Sequence, residues 1–114
     1  MTTEQQPSNK RKFERITVQL LLDYSDGVNF YSATLRDISI GGLRIESLRG
    51  LPTGTQLTLT LPTSPPSKVK GEIMWSTKKG IRHNMGIKFI GLKQEQEWQI
   101  KEIIRARAME NIIL

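Results

Sequence analysis

From Ile16 to Phe89 the chain alternates between apolar and polar positions, broken at intervals by Gly, Pro, Asp and Ser. Ile16, Val18, Leu20 and Leu22 alternate with Thr17, Gln19 and Asp23, the period of a strand with one buried face. Leu21 breaks the pattern and predicts partial cover on the second face. Ser25-Asp26-Gly27 predicts a hairpin turn, because glycine accepts the positive φ of a tight reversal. Tyr31, Ala33 and Leu35 then oppose Ser32, Thr34 and Arg36, and after Asp37–Gly42 the alternation resumes at Leu43, Ile45 and Ser47. Leu57, Leu59 and Leu61 alternate with threonines, and the Pro-rich stretch 62–67 excludes a ladder and predicts an exposed loop. Val69, Gly71, Ile73 and Trp75 share one parity, Lys78-Lys79-Gly80 turns the chain, and Met85, Ile87 and Phe89 form a last strand.

About six short strands joined by Gly and Pro turns predict a mostly β, antiparallel sandwich or barrel over about 16–91. After Gly91 the character changes. Residues 94–113 lack Gly and Pro and predict one helix, with Ile100, Ile103, Ile104 and Ala108 as the stripe that packs on the barrel. Trp98, Met109, Ile112 and Ile113 fall off that stripe. They belong either to a frayed end or to a surface that meets a partner chain, which leaves the oligomeric state open. Residues 1–9 are polar and predict a disordered tail, so the folded domain is expected over 10–114.

The 17 Lys and Arg against 11 Asp and Glu give a net charge of +6, which favours an anionic partner without selecting one. With no cysteine and a single histidine, His83, disulfides and thiolate or His-cluster metal sites are not expected. No G-x-S-x-G elbow or P-loop occurs, and His83 beside a basic turn reads as a surface residue, so the expectation is not an enzyme. Neither a signal peptide nor a long apolar run is visible, which predicts a cytoplasmic protein without membrane insertion.

Two stretches carry chemistry. Lys10 to Arg15 places four cations against Glu14, with Arg11 and Arg15 four residues apart just before the first strand. A guanidinium fork can grip a phosphate, or O6 and N7 of guanine together, although a solvated charge run has the same composition. Asp37-Ile38-Ser39-Ile40-Gly41-Gly42 offers a carboxylate, a hydroxyl and two glycines that let a ligand approach the backbone. An ordinary turn between strands uses the same residue types.

Arg11-x-x-x-Arg15 followed by Asp37-x-Ser39-x-x-Gly42 resembles the two-part signature of PilZ domains, bacterial receptors for cyclic di-GMP. Gly71-Glu72-Ile73-Met74-Trp75 and Gly86-Ile87-Lys88-Phe89 are similar to two later strands of that family, so the resemblance spans about 10–105. It implies a six-stranded antiparallel split barrel with a C-terminal helix and no cofactor beyond the nucleotide ligand. It also implies that Arg11 and Arg15 clasp guanine and phosphate, while Asp37, Ser39, Gly41 and Gly42 hold another guanine and its phosphate. Trp75 matches a position that lies against the ligand in some members, though its parity equally suits a core residue. Lys10 occupies a position that varies in the family and is implied to bear on whether one ligand or a stacked pair binds. An effector protein is the implied partner, read through movement of the arginine segment. Two alternatives remain from the residues: a basic barrel for single-stranded nucleic acid, or a nucleotide-independent interaction adaptor. The first needs exposed stacking aromatics, and with Phe30, Tyr31, Trp75 and Phe89 at strand positions expected to serve the core, no nucleic acid is expected.

Overall fold

The computed structural model describes residues 15–113, with side chains described as far as Arg107. Six strands and one helix follow in order: β1 (Ile16–Ser25), β2 (Phe30–Ile38), β3 (Gly42–Ser47), β4 (Gln56–Leu61), β5 (Ser67–Lys79), β6 (Arg82–Ile90) and α1 (Gln94–Ile113). All strand pairs are antiparallel and close a barrel in the order β1-β2-β3-β6-β5-β4. The chain therefore crosses from β3 to β4 over one end of the barrel, and β6 returns to fill the gap between β3 and β5. No helix among the described residues is long and apolar enough to cross a membrane.

The buried face of each strand is the apolar set that the alternation marks. Leu35, Ile45, Leu59, Leu61, Ile73 and Met85 are completely buried, and with their neighbours they form one continuous core. Three positions depart from the expected pattern. Leu21 stands 77% exposed, so the second face of β1 is not covered within the described chain. Phe30, expected in the core, is 86% exposed at the start of β2, where it faces outward beside the hairpin turn. Trp75, whose parity matches the buried Ile73, is 43% exposed.

The cause for Trp75 is a register shift between Ile73 and Trp75, where two residues of β5 oppose one of β6. A bulge of this kind adds a residue, bends the strand and reverses the face of everything beyond it. The same device recurs in β2 between Leu35 and Asp37, and in β1 between Thr17 and Leu20. Strict alternation would turn Asp37 inward with Ala33 and Leu35. The bulge at Arg36 turns it outward instead, opposite Arg44.

The helix caps the remaining opening. The Gln96 side chain accepts from the Lys93 N–H (2.9 Å), half of a capping box, and its amide donates to the Lys68 carbonyl of β5 (2.8 Å). Glu95 and Glu97 in the first turn complement the helix dipole. Ile100 is fully buried and Ile103 and Ile104 pack against the core, as the stripe predicts, while Trp98 is 60% exposed. Ala108, Met109, Ile112 and Ile113 carry side chains outside the described set.

Tyr24 is the one phenol in this core, donating to Ser47 Oγ at 3.1 Å and stacking on Tyr31. Burial pushes its pKa above the ordinary value of 10.0. Because the folded-state pKa is the higher one, this contribution to stability is complete below about pH 10 and is lost as pH rises through the folded value. Thermal unfolding should therefore steepen its dependence on pH above about 10, and Tyr24→Phe should flatten it. Equal alkaline slopes for the two proteins would show that Tyr24 ionises freely in the fold.

Candidate functional site

The two bulges in β2 and β5 place residues from four strands in one row across the outer face of the barrel. Asp37 lies opposite Arg44, Arg44 opposite Gly86, and Gly86 opposite Trp75. Thr17 of β1 continues the row beyond Asp37. Gly42 lies opposite Lys88 in the adjacent row. Arg15, one residue before β1, reaches this surface at its β2 end.

Asp37 is the electrostatic hinge of the row. Its Oδ1 accepts from Arg15 Nη1 at 2.5 Å and its Oδ2 from Arg44 Nε at 2.7 Å, and its side chain is only 12% exposed beneath the two guanidinium groups. Arg44 also donates to Asn84 Oδ1 at 3.2 Å, which fixes the plane of its fork. A second Arg15 nitrogen donates to Ser39 Oγ at 3.4 Å. One carboxylate thus holds two cations side by side, each with further N–H donors to offer. Charge-assisted contacts of this kind are about twice as strong as neutral hydrogen bonds.

The turn between β2 and β3 is built for support. Ser39 N–H donates to the Gly42 carbonyl (2.8 Å), Gly41 N–H donates to Ser39 Oγ (3.3 Å), and Phe89 N–H donates to the Gly41 carbonyl (3.0 Å). Ser39 is buried and therefore holds the loop and Arg15 from below.

At Gly42 and Gly86 the absent side chains let a neighbouring strand and the Trp75 indole pack close to the backbone. A Cβ on Gly42 would lie 2.1 Å from the Ile87 carbonyl oxygen, and one on Gly86 would lie 2.1 Å from Trp75 Nε1. Neither contact is sterically acceptable as it stands: the backbone of the neighbouring strand requires glycine at Gly42, and a side chain at Gly86 would displace the indole laid across it. The site is an open cavity of about 310 Å³, with Arg15, Asp37 and Arg44 at one side and Trp75 and Met74 at the other. Gly41, Gly42, Gly86 and Lys88 line it between. Among the described residues no group of three or more His, Cys, Asp or Glu is placed to hold a metal ion.

The sequence matches the PilZ domain over residues 9–106. The chain belongs to the PilZ domain family. No curated protein matches it. Among solved structures it is similar to the PilZ domain with c-di-GMP of YcgR from Escherichia coli, with a TM-score of 0.74, 14% identity, and coverage of 90% of this chain and 94% of that one. It is also similar to the Bacillus subtilis inhibitor of motility MotI/DgrA, at a TM-score of 0.73 and 15% identity, covering 89% of this chain and 52% of that one. The MrkH–c-di-GMP complex of K. pneumonia gives a TM-score of 0.72 at 14% identity, covering 89% of this chain and 53% of that one. The chain spans about half the length of these last two proteins. At such identities the likeness shows the fold, a six-stranded PilZ barrel with its C-terminal helix.

Within this PilZ barrel, Arg15, Asp37, Gly41, Gly42 and Trp75 from the sequence analysis gather around one cavity, with Ser39 beneath it. Lys10 and Arg11 lie outside the described residues. Sequence reasoning missed Arg44, Met74, Gly86, Lys88 and Asn84. Arg44 carried a usable signal, since it stands two residues after Gly42 on the outward parity of β3. Gly86-x-Lys88 carried the same signal on β6.

Proposed function

We propose that the cavity binds cyclic di-GMP and that the protein is a nucleotide receptor that signals to a partner protein. The observation that carries this reading is the fixed pair of guanidinium groups, Arg15 and Arg44, on one carboxylate at the side of a cavity lined by Gly41, Gly42 and Trp75. The ligand has two phosphates and two purine rings. Arg15 would meet a phosphate or the O6/N7 edge of guanine with its fork, and Arg44 and Lys88 would add charge on the same face. The Gly41–Gly42 backbone would let a flat ring approach closely, with the Trp75 indole, which lies over Gly86, as the side wall. Asp37 acts first as the anchor of both arginines, because each of its oxygens is already engaged by one of them. Its remaining lone pairs can accept from guanine N–H groups.

A cavity of about 310 Å³ stands at the small end of ligand pockets, roughly 300–1,000 Å³. Lys10 and Arg11 would complete the enclosure from the segment before Arg15, with Arg11 on the second phosphate or guanine. In that case binding draws the segment onto the barrel, and the change in surface is what a partner reads. PilZ domains are receptor and adaptor modules, and the reading requires no catalysis.

Isothermal titration with cyclic di-GMP, with GMP and cyclic di-AMP as controls, tests the assignment. A saturable exothermic signal for cyclic di-GMP alone is expected, with a stoichiometry of one or two ligands per chain. Equal affinity for cyclic di-AMP would remove the guanine reading, because adenine lacks the O6 acceptor that a guanidinium fork needs.

A further inference from the structure

The barrel is closed, but the β5–β6 hairpin runs on past it. β4 pairs with β5 only as far as Gln56 opposite Glu72, and the crossing loop adds two more bonds, Gly54 N–H to the Ile73 carbonyl and Thr55 carbonyl to the Ile73 N–H. Beyond Ile73, β5 runs on for Met74–Lys79, paired with β6 alone, from Trp75 opposite Gly86 to Lys79 opposite Arg82. Among the described residues no strand pairs with its other edge. All six of these residues are exposed.

An edge of six residues spans about 20 Å, the length of an ordinary strand. Unpaired edges are usually kept short, covered or interrupted by proline. This one is long and, after the bulge, regular, with neither Pro nor Gly before Gly80. Its only guard is charge. Lys78 and Lys79 stand at the far end, Arg82 lies opposite Lys79, and residues 74–83 contain no acid. The half-exposed Met74 and Trp75 at the near end and Ile81, 75% exposed at the tip, supply apolar anchors on either side.

We infer that the Met74–Lys79 edge is a strand-addition site for an extended acidic segment of a partner protein. Lysines on an edge oppose pairing with a second copy of the same edge, since association concentrates four lysines in one small sheet. The same side chains form cross-strand ion pairs with an acidic strand. Backbone bonds along the edge would supply affinity, and Lys78, Lys79 and the Met74–Trp75 pair would supply register and choice of partner. The site needs no nucleotide, so it stands or falls separately from the cavity's assignment.

The probe is a capped nine-residue peptide of alternating valine and glutamate, with the lysine-for-glutamate peptide as control. It is titrated into the full chain, isotopically labelled and free of nucleotide. The expected result is that amide resonances of 74–79 shift and those amides gain protection from hydrogen exchange with the glutamate peptide only. The double change Lys78→Glu, Lys79→Glu should weaken that binding about tenfold or more and leave the β6 resonances in place. Ser76→Pro and Thr77→Pro supply the backbone test. Neighbouring residues of a strand point their N–H groups to opposite sides, so one of these variants keeps the β6 ladder and loses only an edge donor. The variant that retains the native melting temperature should no longer bind the peptide. Three results would overturn the inference: no shift at 74–79 at millimolar peptide, equal binding of the lysine peptide, or shifts confined to Arg44 and Lys88.

Discussion

Arg15→Ala should reduce cyclic di-GMP affinity by about a hundredfold or more while the barrel stays folded. The Arg15 side chain is 27% exposed, and among the described residues it bonds Asp37 and Ser39. A partly exposed ion pair contributes about 0–1 kcal/mol to stability, and Arg44 continues to hold Asp37 after the change. The melting temperature should therefore fall by only a few degrees, roughly 4–8 °C for each kcal/mol in a domain of this size. Binding is different, because a guanidinium fork makes two charge-assisted bonds to one ligand group, each about 1.5–3 kcal/mol. Loss of both corresponds to about 3 kcal/mol or more, hence the hundredfold. Arg15→Lys keeps the charge and loses the fork, so it should recover only part of the affinity. Asp37→Ala reaches the same end by another route: Arg15 and Arg44 lose the carboxylate that gathers them and repel one another. That variant should lose both affinity and about 1–2 kcal/mol of stability, since two half-buried cations are left unpaired. Calorimetry and thermal unfolding on the same samples separate the two routes. An unchanged dissociation constant in Arg15→Ala would place the ligand elsewhere.

The fold was legible because burial and alternation coincide at nearly every strand position. Leu57, Leu59 and Leu61 are apolar every second residue, and each is buried. The site was legible in part, for a definite reason. Arg15, Asp37 and Gly42 stand in a short spaced motif, and Arg44 follows it closely, whereas Gly86 and Lys88 join them only through strand pairing with Arg44 and Gly42, between residues 40 or more apart in sequence. Strict alternation also misleads at both ends of the row. Asp37 shares the parity of Leu35, and Trp75 that of Ile73, yet both face outward. A bulge adds one residue without any obligatory residue type, and the two here fall at Arg36 and Met74, which carry no glycine to mark them. Phe30 shows the converse limit: an aromatic in a strand says nothing of which face it takes when it stands at the strand's first residue.

Gly42 and Gly86 should respond to the same substitution in opposite ways. At Gly42 the added methyl of alanine meets backbone, the Ile87 carbonyl oxygen at 2.1 Å and the Lys88 Cα at 3.2 Å. β6 cannot yield there without loosening its ladders to both β3 and β5, which hold it at Gly42–Lys88 and at Glu72–Lys88. Overpacking in a well-packed region costs about 1–3 kcal/mol and more where the backbone itself must move. Gly42→Ala should therefore lower the melting temperature by about 10–20 °C. At Gly86 the three atoms nearest the methyl all belong to a side chain, the Trp75 indole with Nε1 at 2.1 Å. That indole is 43% exposed and has room to swing toward solvent, so the fold should lose about 1 kcal/mol or less. The cavity, however, loses the indole as its side wall, and cyclic di-GMP affinity should drop about tenfold or more. Tryptophan emission should report the swing as a red shift in Gly86→Ala that Gly42→Ala does not produce below its own melting point. If Gly86→Ala instead loses as much stability as Gly42→Ala and keeps its affinity, Trp75 is a structural lid on β6, and the ligand rests on the arginine side of the row alone.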